Sequence, residues 1–373
     1  MATILLLCEY PTLCGGERSM LSTLNGVRAA GFRVMVAAPP SGSLARSLAA
    51  MAVVHLPFST VEPGGRRRGQ AALRNEIAHL LRRCRPDLLH ANSLAMGRLS
   101  GPVAAEACVA SVAHLRDIVR LSRQAVADLN RHRRLLAVSG AARQYHLAGG
   151  LDTEKTRVLY NGVDLVQFQP QRPTGHIHRE LGLTPDTRLV GMIGQICLRK
   201  GHDVFTEAAE AVSARLGDVH FLIAGQCNSR KAESVEFNAR LHAASTQGPL
   251  AGRLHLLGER DDVGRLLREL TLLVHSARQE PLGRVLLEGA AAGAAIVATD
   301  VGGTREIFPP GSGAAQLVCP GNAPALAEAM DGLLRDGDRC RALGRAARAR
   351  AEAAFGIERA MAGLVRHYQE LCR

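Results

Sequence analysis

The sequence predicts an α/β protein of two Rossmann-like units, and three observations carry that reading. Its 373 residues are long for one domain and suit two units of about 170–190 residues, within the usual domain range. Each half contains a continuous apolar run at its start, residues 3–8 (TILLLC) and 189–193 (LVGMI); a run apolar on both faces is the mark of a buried parallel strand. Each run leads through a glycine-bearing loop into a helix, so both halves repeat one βαβ theme. Two such sheets, facing each other, would bring their carboxyl ends and these loops onto one cleft.

In the first half, residues 11–17 (PTLCGGE) form a turn opening onto a helix over 18–30, and a strand follows at 34–38. Gly15 and Gly16 let backbone approach an anion closely; a tight turn explains them equally well, and they are not the G-x-G-x-x-G fingerprint. Residues 39–68 are turn-rich, with a strand at 53–58 (VVHLPF) and a basic run at Arg66, Arg67 and Arg68. A helix over 71–84 carries apolar residues at 73, 77, 80, 81 and 84 and arginines at 74, 82 and 83. It reads as a crossover on the sheet, with a membrane-surface helix as the alternative. Strands ending at Asn92-Ser93 and at His114-Leu115-Arg116-Asp117 place those polar residues where open α/β sheets bind ligands. A further strand is expected at 135–139 (LLAVS).

Residues 167–185, with Pro170, Pro173 and Pro185, read as an interdomain linker. After strand 189–193 come Gly194, the adjacent cations Arg199 and Lys200, Gly201, and a helix from Asp203. A glycine turn with two cations before a helix suits a diphosphate. Strands follow at 219–225, 254–258 and 272–276, while residues 226–252 read as a polar, mobile stretch.

The most informative stretch is 280–303 (EPLGRVLLEGAAAGAAIVATDVGG). Pro281 and Gly283 make a turn, a helix starts near Arg284, and Glu288 lies one turn inside it, with Glu280 in the loop before. A free helix amino end, including the amides near Leu282, Gly283, Arg284 and Val285, then lies between two carboxylates. Its unpaired N–H groups and positive dipole end favour phosphate. Two solvated glutamates on an ordinary strand–loop–helix unit are the bland alternative.

Net charge is +12, and residues 1–168 contribute 21 Lys/Arg against 11 Asp/Glu. A basic first half points to an anionic partner, whether a lipid surface, a lipid-diphosphate acceptor or nucleic acid, or to solvated arginines. Aromatic content of 3% with no Trp argues against a base-stacking nucleic-acid platform. The nine cysteines are scattered with no C-x-x-C, so neither a disulfide framework nor a zinc site is expected. No signal peptide or spanning segment is read, and the expected location is the cytoplasm, at the inner membrane face if the acceptor is lipid-linked.

Glutamate, seven residues, glutamate, an apolar strand and then Val301-Gly302-Gly303-Thr304-Arg305-Glu306 resemble the donor site of the retaining family 4 glycosyltransferases of bacterial type. The resemblance covers nearly the whole chain and implies the GT-B fold. It implies an acceptor-binding domain over 1–168, a nucleotide-sugar domain over 169–355, and a terminal helix at 356–373 crossing back to the first domain. The segment 158–164 (VLYNGVD) with Phe168 resembles the family's passage between domains.

By the same resemblance, Glu280 holds the sugar, Glu288 the ribose and His114 the far side of the sugar. Lys200 matches the family's lysine-glycine, while Gln195 stands where an arginine is usual and Arg199 precedes the lysine. Gly15, Gly16 and Gly194 lie beside the donor phosphates, and the loop at Arg260 lies near the base. Glu17, Asn92, Ser93, Arg116 and Asp117 fall on the acceptor side. The implied reaction moves a hexosyl or N-acetylhexosaminyl unit, with retention, from a nucleotide-diphosphate sugar, UDP-linked ahead of GDP-linked. No metal or other cofactor is expected. Asp336-Gly337-Asp338 resembles the metal-binding D-x-D of other glycosyltransferases but reads as a surface turn between helices. Lys200→Ala is expected to cost turnover more than folding. A GT-B epimerase or phosphorylase, or a non-enzymatic anion binder, are the alternatives.

Overall fold

The computed structural model describes residues 1–227 and 232–372. The chain divides into a first unit, Met1–Gly162 with Ile357–Arg373, and a second, Val163–Gly356. In the first unit the order is β1 (Thr3–Leu7), α1 (Gly15–Ala29), β2 (Arg33–Ala38), α2 (Ser43–Ala50), β3 (Val54–Pro57), α3 (Gln70–Cys84) and β4 (Leu88–Ala91). It continues with α4 (Leu94–Glu106), β5 (Ala110–Leu115), α5 (Arg123–Leu129), β6 (Arg134–Ala137), α6 (Gly140–Ala148) and β7 (Thr156–Val158).

The second unit begins with α7 (His176–Leu181), β8 (Arg188–Ile193), α8 (His202–Ser213), β9 (Val219–Ala224), α9 (Ala232–Thr246) and β10 (Leu254–Gly258). Then come α10 (Val263–Glu269), β11 (Leu272–His275), α11 (Arg284–Ala291), β12 (Ile296–Thr299), α12 (Thr304–Ile307) and β13 (Gln316–Val318). Helices α13 (Ala323–Leu334) and α14 (Gly337–Ala354) end this unit, and α15 (Ile357–Leu371) belongs to the first.

The seven-stranded sheet runs β3-β2-β1-β4-β5-β6-β7 and the six-stranded sheet β10-β9-β8-β11-β12-β13. Every pairing within them is parallel. Each order reverses direction once, between β1 and β4 and between β8 and β11. At such a switch point neighbouring loops leave in opposite directions and open a crevice at the strand carboxyl ends. The apolar runs that predicted β1 and β8 are buried, as Ile4, Leu5, Leu189 and Val190 are 0% exposed.

Helix α15 closes the first core rather than trailing from it. Leu364, Tyr368 and Leu371 pack with Leu24, Val27 and Val36, and the Phe32 and Tyr368 rings meet edge-on at 5.7 Å. Arg134 binds Glu370 at 2.6 Å and His367 Nδ1 at 2.8 Å.

Four local expectations are revised. Helix α1 begins at Gly15, so both glycines lie in its first turn instead of a preceding loop. The turn-rich segment after Pro39 contains α2, which buries Leu44 and Leu48. The stretch read as polar and mobile, 226–252, contains α9, whose Phe237 and Leu241 are buried one turn apart; residues 228–231 of it lie outside the described residues. The linker contains α7, held by Ile177 and His178.

That linker is pinned by one carboxylate. Glu269, its side chain 1% exposed, accepts from Thr174 N at 2.7 Å, Thr174 Oγ1 at 2.8 Å, Gly175 N at 3.0 Å and His176 Nδ1 at 3.0 Å. Burial raises its pKa, but the Thr174, His176 and Gly175 donors outweigh burial and hold it below the ordinary 4.5. A carboxylate depressed in the folded state stabilises the fold above its unfolded pKa and loses that contribution as pH falls through the folded value. Glu269→Gln is therefore expected to lower stability at pH 7 by about 1–3 kcal/mol, read as a lower urea midpoint. The gap to wild type narrows in acid. Equal midpoints at pH 7 would contradict the role given to Glu269.

Candidate functional site

In the second unit the site grows from the loops that leave β8 and β11, the two strands flanking the switch point. The first loop tightens into a 3-10 turn, Leu198–Lys200. The second holds it closely: Arg278 N donates to Arg199 O at 2.9 Å, Arg199 Nη1 to Gln279 O at 3.1 Å, and Arg278 pairs with Asp203 at 2.6 Å. This registration carries Lys200 to Glu280, with Nζ 2.5 Å from Oε2.

His275, the last residue of β11, brings Nε2 within 3.0 Å of the same oxygen. Glu280 is 6% exposed. Burial pushes its pKa up, and Lys200 and His275 together overcome that and hold the carboxyl well below the usual range. Burial, with Lys200 and Arg199 nearby, pushes the His275 pKa down, against Glu280. A neutral His275 facing a carboxylate at Nε2 carries its proton there, and among the described residues its buried Nδ1 has no partner. The sequence pattern singled out Lys200 and Glu280 and missed His275. Its position at the end of the strand before the Glu280 loop was the available signal.

Helix α11 starts at Arg284, as the turn residues predicted, after Gly283 at φ 107°. A side chain there would press on Leu286. Its first backbone bond runs from Leu286 N to Gly283 O at 3.1 Å, so the Arg284 and Val285 amides precede the helical ladder. Glu288 lies one turn in, 8% exposed, and accepts from Arg284 Nε at 2.6 Å. Leu282 is buried and offers only backbone. The V-G-G loop closes over Glu280: Gly303 N donates to Glu280 O at 3.1 Å. Gly302, at φ 51°, leaves no room for a Cβ against that carbonyl.

Gly194 follows β8 at φ 150° and donates to Ala224 O at 2.9 Å. Arg260 is occupied within its own neighbourhood, with Nε 2.7 Å from Asp262 and Nη1 2.7 Å from Glu180. Asp336 caps α14 through Arg339 N at 2.9 Å, and Asp338 is exposed, 2.5 Å from Arg341. Among the described residues no three His, Cys, Asp or Glu side chains converge as a metal-ligand set.

In the first unit, Arg116 gathers the predicted residues beyond the ends of β4 and β5. It donates to Asn92 O at 2.9 Å, Asn92 Oδ1 at 2.8 Å and Asn161 Oδ1 at 3.0 Å. Asn92 in turn donates to Gly16 O at 3.2 Å, and a Cβ on Gly16 would press on the Arg116 side chain. Burial lowers the Arg116 pKa to about 10 against the pull of Glu17, Cys8 and Asp117. Glu17 is buried, and burial, with Glu9 and Asp117 adding to it, raises its pKa despite Arg116. His114 is buried beside His90. Ser93 works chiefly as the cap of α4, accepting from Met96 N at 3.2 Å. Asp117 is exposed, and its carbonyl accepts from His146 at 2.7 Å. His90, Tyr368 and Asn161 were not anticipated.

Two parallel sheets, each with a switch-point crevice, are the architecture of the GT-B fold, and the second also carries a buried cation–carboxylate node beside a helix amino end. Residues 14–167 match Glycosyltransferase Family 4 and residues 174–350 match Glycosyl transferases group 1; the chain belongs with the GT-B glycosyltransferases on the strength of both. It is 29% identical over 274 residues to the lipopolysaccharide core biosynthesis mannosyltransferase LpsB of Rhizobium meliloti, covering 69% of this chain and 76% of that protein. It is 30% identical over 214 residues to LpcC of Rhizobium leguminosarum, covering 57% of this chain and 59% of that one. Anabaena HepE, solved in complex with UDP-glucose, superposes with a TM-score of 0.88 at 22% identity, over 99% of this chain and 100% of the other.

The Lys200–Glu280 pair is a test of the node. Lys200→Ala leaves Glu280 buried with His275 alone, and breaking a buried pair costs about 3–5 kcal/mol. Folding stability is therefore expected to fall, which the sequence alone did not suggest. The Lys200→Ala/Glu280→Gln double variant is expected to recover part of that loss in urea denaturation. Purely additive losses would show that the two do not act as a pair.

Proposed function

We propose that the protein transfers a hexosyl or N-acetylhexosaminyl unit from a UDP-sugar to an acceptor hydroxyl with retention of anomeric configuration. The observation that carries this is the Lys200–Glu280–His275 node beside the amino end of α11, with Glu288 one turn inside the helix. The UDP-glucose bound to HepE and the mannosyltransferase names of LpsB and LpcC support a nucleotide-sugar donor and a hexosyl group.

In this reading the diphosphate lies against the loop 194–201 and the free amides of α11. As the anomeric carbon–oxygen bond breaks, charge grows on the leaving phosphate. Lys200, Arg199 and those amides stabilise it without a metal ion. The acceptor oxygen bonds the same face of the anomeric carbon, and its proton passes to the leaving phosphate oxygen. Glu280 holds sugar hydroxyls, Glu288 the ribose, and His114 meets a substrate hydroxyl.

The exposed Arg66, Arg67, Arg82 and Arg83 support an anionic or lipid-linked acceptor and contact with an anionic membrane. Arg68 and Arg74 are engaged with Glu76 and Asp128. Among the described residues no helix is long and apolar enough to cross a membrane.

Glu288→Gln is expected to weaken UDP binding about tenfold in calorimetry, the loss of one charge-assisted hydrogen bond; unchanged affinity rejects the ribose assignment. Transfer is expected to persist in EDTA. Loss with chelator, restored by Mg²⁺ or Mn²⁺, rejects the metal-free mechanism.

A further inference from the structure

Three buried side chains form a line through the first unit. Tyr368 Oη lies 2.5 Å from His90 Nδ1, and His90 Nε2 lies 2.7 Å from His114 Nδ1. Tyr368, His90 and His114 are 1%, 1% and 4% exposed. A neutral imidazole has one N–H and one lone pair, so this chain of bonds has only two senses. In one, Tyr368 donates to His90, His90 donates to His114, and His114 is left with an N–H at Nε2. In the other every bond reverses, and His114 is left with a bare lone pair at Nε2.

Arg116 decides between them. Its Nη2 lies 3.4 Å from His114 Nδ1, and a guanidinium only donates. An N–H at Nδ1 would point a proton at a fixed cation in a buried setting; a lone pair there is attracted. Arg116 cannot turn away, because its other N–H groups are committed to Asn92 and Asn161.

We propose that Tyr368 and His90 are positioning residues that, with Arg116, hold His114 as a neutral imidazole presenting an Nε2–H to a hydroxyl of the substrate. The role toward substrate rests on the glycosyl-transfer reading; the state of the imidazole does not. The charged and titratable groups around His114 are Arg116 beyond its own strand, His90 on β4, and His367 and Tyr368 on α15. Burial, then Arg116, His90 and His367, push the His114 pKa well below its ordinary value. Burial, with Arg116 and His132, lowers that of His90 to about 3. Both rings are therefore neutral at physiological pH.

His114 lines a cavity of ≈ 30 Å³ together with Ser19, His90, Arg116 and Tyr368. Among the described residues its Nε2 has no hydrogen-bond partner, whereas Nδ1 has His90 and Arg116. The terminal helix thus reaches the site through one hydroxyl, from a residue 278 positions away in sequence from His90.

Nitrogen-15 NMR of the full chain with labelled histidine reads the tautomer without substrate. The expected spectrum shows His114 protonated at Nε2 and bare at Nδ1; the reverse pattern, or a charged ring at neutral pH, overturns the proposal. In Tyr368→Phe the single tautomer is expected to give way to a mixture, with kcat/KM for the donor reduced roughly tenfold. His90→Gln, which keeps an N–H toward His114, is expected to retain the Nε2–H tautomer where His90→Leu loses it; this pair serves if Tyr368→Phe does not fold. A tautomer and kcat/KM unchanged in Tyr368→Phe, or equal spectra for the two His90 variants, reject the positioning role. Absence of UDP binding by the wild type would instead reject the transferase reading and leave the tautomer result standing.

Discussion

The second unit is arranged around one buried carboxylate oxygen. Glu280 Oε2 takes both Lys200 and His275, and a charge removed from water is tolerable only when so paired. Meeting that condition constrains much else. The loop after β8 must turn tightly to present Lys200, and β11 must end on a histidine. The V-G-G loop must run close enough to bond the Glu280 carbonyl, which excludes any side chain at Gly302. The result is a fixed cation and a fixed amide cluster at one strand end, where negative charge can be received without reorganisation of the protein.

The first unit solves a different problem with the same economy of parts. Beside Arg116, two buried histidines and a tyrosine are joined end to end and given a direction by that one guanidinium. Desolvation keeps the rings uncharged, and Arg116 keeps them oriented. An imidazolium there would face the Arg116 cation in a buried setting, whereas a neutral ring does not.

The strands at residues 3–8 and 189–193 were legible because parallel strands buried on both faces leave continuous apolar runs. The start of α11 and the depth of Glu288 followed from Pro281 and Gly283. Helix α9 was hidden because only Phe237 and Leu241 are buried on an otherwise polar segment. Two glycines disguised the first turn of α1. Pairings between distant residues were the least legible: Lys200 and Glu280 are 80 positions apart and Tyr368 and His90 are 278 apart. Only the topology, which sets β8 beside β11 and returns α15 to the first sheet, brings them together. Arg260 and Ser93 carried the right residue types, but one is held by Glu180 and Asp262 and the other serves as a helix cap.

Hydrogen–deuterium exchange with and without UDP tests the central claim most directly, since it reports which backbone amides a nucleoside diphosphate covers. Slowed exchange is expected in two segments, the loop 194–201 and the α11 amino end at 282–288, in buffer containing EDTA. Protection confined to other segments, or none at saturating UDP, would contradict it.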